Sequence, residues 1–199
     1  MDTDLSQSPE IWSGKPLVSL MDHIVTTHHT FCRQEVARVG SLFKGTIAKH
    51  GNNHPELKRM EALFSAIARD LLMHLIREEQ TLFPYITRVE EGVRQKTAIS
   101  WPPFGTVENP IRMMVLEHDQ TGEELKEIAR LSNDYTPPSS GTEDYADLYD
   151  ALRAFERDMR EHIHAEDVLL FPRAVAMEEE ACARRKPAAG DKLRRLRSS

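Results

Sequence analysis

Two stretches 88 positions apart carry one pattern: residues 74–84, HLIREEQTLFP, and residues 162–172, HIHAEDVLLFP, both read H-x3-E-x3-L-F-P. On a helix, residues four apart lie on one face about 6 Å from each other, so each stretch points an imidazole and a carboxylate the same way. Two more histidines extend the pattern. His29, His74, His118 and His162 follow one another at intervals of 45, 44 and 44 positions. Helices running up, down, up and down return the chain to one height at equal intervals, provided the turns fall near the midpoints. Turn signals stand there: Gly51-Asn52-Asn53 between the first two histidines, and residues 137–141, PPSSG, between the last two. The spacing predicts an all-α, up-down-up-down four-helix bundle with four histidines and two glutamates at one level.

The apolar pattern fits four helices. Leu17, Leu20, Met21, Ile24, Val25 and Phe31 begin a run that recurs three and four apart as far as Gly51. A second helix starts at Pro55 and reaches about Gly92, a third opens at Asn109-Pro110 with Asn109 as its N-cap, and a fourth runs from about Glu143 towards Ala181. Pro84 and Pro172 should bend or break their helices. Trp101-Pro102-Pro103-Phe104, in the long connection, reads as a lid over one bundle end, since a bare linker has no use for two large aromatics. The expected organisation is a loose leader over 1–16, the bundle over 17–182 and a basic flexible tail over 183–199. A net charge of −6 gives the whole chain no nucleic-acid signature, apart from that tail. The first residues lack a signal-peptide pattern, and no apolar run nears the roughly 20 residues of a membrane span, so a soluble cytoplasmic protein is expected. Cys32 and Cys182 are far apart and form no CxxC, so neither a disulfide framework nor a thiolate metal site is indicated.

The metal argument therefore rests on nitrogen and oxygen donors. Imidazoles suit iron, zinc, copper and nickel, and carboxylates can bridge two cations about 3.5–4 Å apart. His29 and His162 would serve one ion and His74 and His118 the other, with Glu78 and Glu166 shared. This set favours two irons, with manganese as the alternative and structural zinc least suited. The competing reading is a plain bundle with hydrogen-bonded core histidines, but it must desolvate two carboxylates at several kcal/mol each without cations. The repeat aligns His29 with His118 and so His28 with Glu117, which favours His29 over His28 as the ligand. His50 lies 21 residues from His29, roughly 31 Å along a helix, and His164 points about 200° away from His162. His23 and His54 have no repeat partner. Glu79, Asp167, Glu117 and Asp119 flank the six and are candidates to orient the imidazoles. No Ser/His/Asp or Cys/His nucleophile arrangement is present.

With Thr27-His28-His29, Lys49-His50-Gly51 and Glu117-His118-Asp119, these motifs resemble the hemerythrin-like HHE domain of the repair-of-iron-centres di-iron family, over about residues 17–177. The resemblance implies a non-haem di-iron centre held at the positions of His29, His74, Glu78, His118, His162 and Glu166. It implies O2, nitric oxide or peroxide as small ligands, a role in nitrosative or oxidative stress or in iron–sulfur cluster repair, and iron–sulfur proteins as partners. A reversible gas sensor or carrier acting through a partner is the alternative. Oxygen-carrying hemerythrins are less similar, because their third helix offers two histidines four apart, where this sequence has Met114 and Gly122 around His118. Members of the repair family carry an N-terminal domain with paired cysteines, and the expectation for this sequence is a bundle without it.

Overall fold

Apolar residues returning every three or four positions bury one stripe of each helix, and four such stripes close around a common core. In the computed structural model, which describes residues 9–139 and 141–185, a single turn α1 (Pro9–Trp12) precedes four long helices. These are α2 over 17–50, α3 over 56–95, α4 (Glu108–Leu131) and α5 over 143–185. No strand occurs among the described residues. Helix α2 packs against α3 and α5, and α4 packs against α3, which gives the antiparallel bundle that the spacing predicts. The first eight residues of the expected leader, Ser140 of the expected turn and residues 186–199 of the expected tail lie outside the described residues. Trp12 is buried, and its carbonyl accepts a hydrogen bond from Arg173 at 3.2 Å, which ties α1 to α5.

The core is in two parts. Phe43, Leu57, Phe64, Tyr145, Leu152 and Phe155 fill the end near the Gly51 turn, while Leu17, Leu20, Leu82, Tyr85, Val107 and Leu170 fill the other. His29, His74, Glu78, His118, His162 and Glu166 are buried between the two. A polar layer held between apolar plugs is cut off from water at both ends of the bundle.

Pro84 and Pro172 do not end their helices. Each follows a π turn, Glu78–Leu82 in α3 and Ala165–Leu170 in α5, after which the α-helix resumes at Phe83 or Phe171. In an α turn the proline ring would strike the carbonyl four residues back, and the wider turn relieves that collision. A third π turn, Val25–His29 in α2, has no proline; there the Val25 carbonyl accepts from the Thr30 N–H and also from Thr30 Oγ1 at 3.0 Å. All three turns include a residue of the buried polar layer.

Other helix ends differ from the sequence expectation because their partners come from elsewhere in the chain. Asn109 is not the N-cap of α4; it lies inside the first turn and its side-chain amide donates to the Phe104 carbonyl at 2.8 Å. The buried Glu178 carboxylate of α5 caps that helix, accepting from the Val107 N–H at 3.0 and 3.1 Å and from the Tyr85 hydroxyl. Glu90 of α3 does the same for α2, accepting from the N–H groups of Leu17 at 2.6 Å and Val18 at 3.0 Å. Gly92 does not stop α3, which runs on to Gln95 and ends on a left-handed Lys96. Gly92 is needed because a Cβ there would collide with the Ile99 side chain. In the connection, Pro102 is buried and Phe104 meets Tyr85 edge-on at 5.2 Å, but Trp101 is 47% exposed and takes no part in a lid. Glu178→Ala is expected to destabilise the fold by roughly 2–4 kcal/mol, since it strands two buried donors. A lower urea midpoint at an unchanged slope would show this; an unchanged midpoint would contradict the capping role.

Candidate metal centre

The six residues predicted from spacing meet in two groups: His29, Glu78, His162 and Glu166, and His74, Glu78, His118 and Glu166. Within each group the four donor atoms lie within 4.8 Å of one another, and the two groups share both carboxylates. The sharing is divided oxygen by oxygen. Glu78 turns Oε2 towards His29 Nε2 at 3.4 Å and Oε1 towards His74 Nε2 at 3.3 Å. Glu166 turns Oε1 towards His162 Nε2 at 3.0 Å and Oε2 towards His118 Nε2 at 3.2 Å. The His74 and His118 Nε2 atoms face each other at 3.2 Å.

The outer faces of three of the four rings are held as well. His29 Nδ1–H donates to Glu79 at 2.6 Å, His74 Nδ1–H to Glu117 at 2.8 Å and His118 Nδ1–H to Asp167 at 2.9 Å. This leaves Nε2 of each ring as the atom turned inward. Arg33 braces Glu79 at 2.8 Å and Arg77 braces Glu117 at 2.7 Å. Neither arginine stands out in the sequence, because each reaches its carboxylate across a helix boundary. Asp119 is exposed and orients no imidazole of the centre. His28 is buried beside the centre and bonded to Asp158, His164 is exposed, and His50 sits at the far end against Tyr145.

Burial disfavours a charged imidazole, yet the carboxylates of Glu166 and Glu78 outweigh it and raise His29 to about 10. Burial likewise opposes Asp167 and Glu166 at His118, which also rises to about 10, and opposes Glu78 and Glu166 at His74, which is raised. Burial alone would lift Glu166, but the charge of His162 and the imidazoles of His118 and His29 hold it well below the usual carboxylate range. In this arrangement the imidazoles and carboxylates hold one another. Even so, His29 Nε2, both Glu78 oxygens and Glu166 Oε2 are buried without a hydrogen-bond partner. Buried polar atoms are seldom left so, and inward-facing imidazole nitrogens paired with divided carboxylates form a donor set that fits two cations of the iron or manganese type. Cys32 lies outside both groups, its Sγ 3.6 Å from the Met159 sulfur, and burial followed by the Asp158 charge pushes its thiol up.

Residues 20–174 match the family described as Hemerythrin HHE cation binding domain, with a second match over 109–198. The chain belongs to the hemerythrin HHE family. It is 32% identical over 168 residues to the iron-sulfur cluster repair protein YtfE of Yersinia pseudotuberculosis serotype IB (strain PB1/+), covering 84% of this chain and 70% of that protein. The same identity and coverage hold for the protein of that name from Yersinia pestis (strain Pestoides F). Among the described residues, no helix of this HHE chain is long and apolar enough to cross a membrane.

Proposed function

We propose that this HHE chain is a cytoplasmic non-haem di-iron protein that takes part in iron–sulfur cluster repair or a related response to nitrosative or oxidative stress. His29 and His162 would hold one ion, His74 and His118 the other, with Glu78 and Glu166 bridging both; manganese is the alternative metal. The observation that carries this is the division of each buried carboxylate between the two donor groups. Iron held there supplies redox chemistry and free coordination positions for O2, peroxide or nitric oxide.

The chain's own residues do the rest. Glu79, Glu117 and Asp167 fix the orientations of His29, His74 and His118, and the two apolar plugs keep bulk water from the ends of the bundle. A cavity of about 320 Å³ between α3 and α4, lined by Met73, Arg77, Gln120 and Thr121, reaches His74 and His118 from the side and admits a small ligand. The relatives' name supports the repair role, and the site supports the metal.

Anaerobic loading with Fe(II) should give two irons per chain. The loaded protein should then restore activity to a nitric-oxide-damaged iron–sulfur enzyme, with loss of iron or turnover of the gas. A stable reversible adduct with no restoration would favour a sensor or carrier instead.

A further inference from the structure

The sequence repeat relates α2 and α3 to α4 and α5: His29 to His118, His74 to His162, Glu78 to Glu166, Glu79 to Asp167, and His28 to Glu117. One part of this relation is kept in hydrogen bonds, since Glu79 accepts from His29 and Asp167 accepts from His118. The other part is broken. Glu117 accepts from His74 and is braced by Arg77, but behind His162 the related place is taken by His28. Its ring lies parallel to that of His162, at 6° with centroids 5.6 Å apart. His28 Nδ1 bonds instead to Asp158 at 3.0 Å, and the position related to Arg77 is Ala165. His162 Nδ1 is buried and has no hydrogen-bond partner.

A carboxylate that accepts from Nδ1–H fixes an imidazole and enriches its Nε2, and loss of such a partner typically costs about 10–100-fold in metal affinity. The parallel His28 ring supplies no such acceptor to His162, whose Nδ1 has no hydrogen bond. The His74/His118 position therefore has two carboxylate-backed rings, and the His29/His162 position has one. We infer that the two cation positions are unequal: the His74/His118 position fills first, and the His29/His162 position is the weaker and more readily released. His28, anchored by Asp158, is the positioning residue that sets the difference. This inference rests on the two-cation reading above.

Anaerobic titration of the full chain with Co(II), followed by its visible absorption, tests it. Two steps about 10–100-fold apart are expected in the parent protein. His162→Ala should remove the weak step and spare the tight one, and His118→Ala should remove the tight one. His28→Glu, alone or combined with Asp158→Ala to relieve the like charge, should tighten the second step by about tenfold or more. Glu117→Gln should narrow the gap from the other side by weakening the first. Loss of the tight step in His162→Ala, or a gap unmoved by both His28→Glu and Glu117→Gln, would overturn the inference while leaving the two-cation reading standing. Fewer than two Co(II) bound by the parent chain would remove both.

Discussion

Replacing Glu78 and Glu166 together with alanine is expected to take the chain from two bound irons to none and to leave its helical content largely intact. Both side chains are fully buried and each offers one oxygen to each donor group, so the double change cuts both groups from four protein donors to two. Two neutral imidazoles hold iron far less tightly than a set that includes anionic bridges. The helices should survive because the apolar clusters on either side of the layer are untouched, and alanine has the best helix propensity. Either single variant should keep at most a weakened site, because one remaining carboxylate still touches both groups. Iron analysis after gel filtration, with far-ultraviolet circular dichroism on the same sample, reads both outcomes. Two irons retained by the double variant would sink the assignment of these residues.

Removing metal from the unaltered protein should have the next largest effect. A ligand that binds only the folded chain at about a thousand times its dissociation constant stabilises it by roughly 4 kcal/mol, and two such cations by roughly twice that. For a domain of this size each kcal/mol moves the melting midpoint by about 2–4 °C, so chelation should lower it by roughly 15–30 °C. The loss should grow as the pH is raised. In the metal-free chain His29 and His118 are raised to about 10, so their stabilising charge is fully present below the unfolded value near 6.5 and is lost as pH climbs through about 10. Cation binding displaces those protons, so the loaded protein carries no such loss over that window and the gap between the two widens. Calorimetry with and without chelator at several pH values measures the gap. A midpoint that ignores chelator would refute cation binding as a source of stability.

Much of the site could be read from one line of sequence because its signals are periodic. Each H-x3-E pair lies on one helix face whatever else surrounds it, and the structure brings both pairs together at the level where His29 and His118 also arrive. The repeat and the even spacing favoured His29 over His28, and of the two only His29 joins the donor groups. The proline positions were equally plain, yet their consequence was not. A single proline is compatible with a break, a kink or a widened turn, and the choice depends on what the packed neighbours allow. The true caps were hidden for a related reason: Glu90 and Glu178 serve helices remote in sequence, and no local motif announces such a partner.

Equal intervals between His29, His74, His118 and His162, with breakers between them, were enough to imply a bundle and a buried layer of six inward-facing polar side chains, since helical rise and antiparallel return are properties of the backbone. Sideways contacts are another matter. Glu79 reaching His29, Arg77 bracing Glu117, and His28 lying flat on His162 where a carboxylate stands in the related half each depend on how neighbouring helices rotate and approach. Those rotations follow from filling the two apolar ends at close-packed density, a condition on the whole assembly that no single helix carries in its own residues.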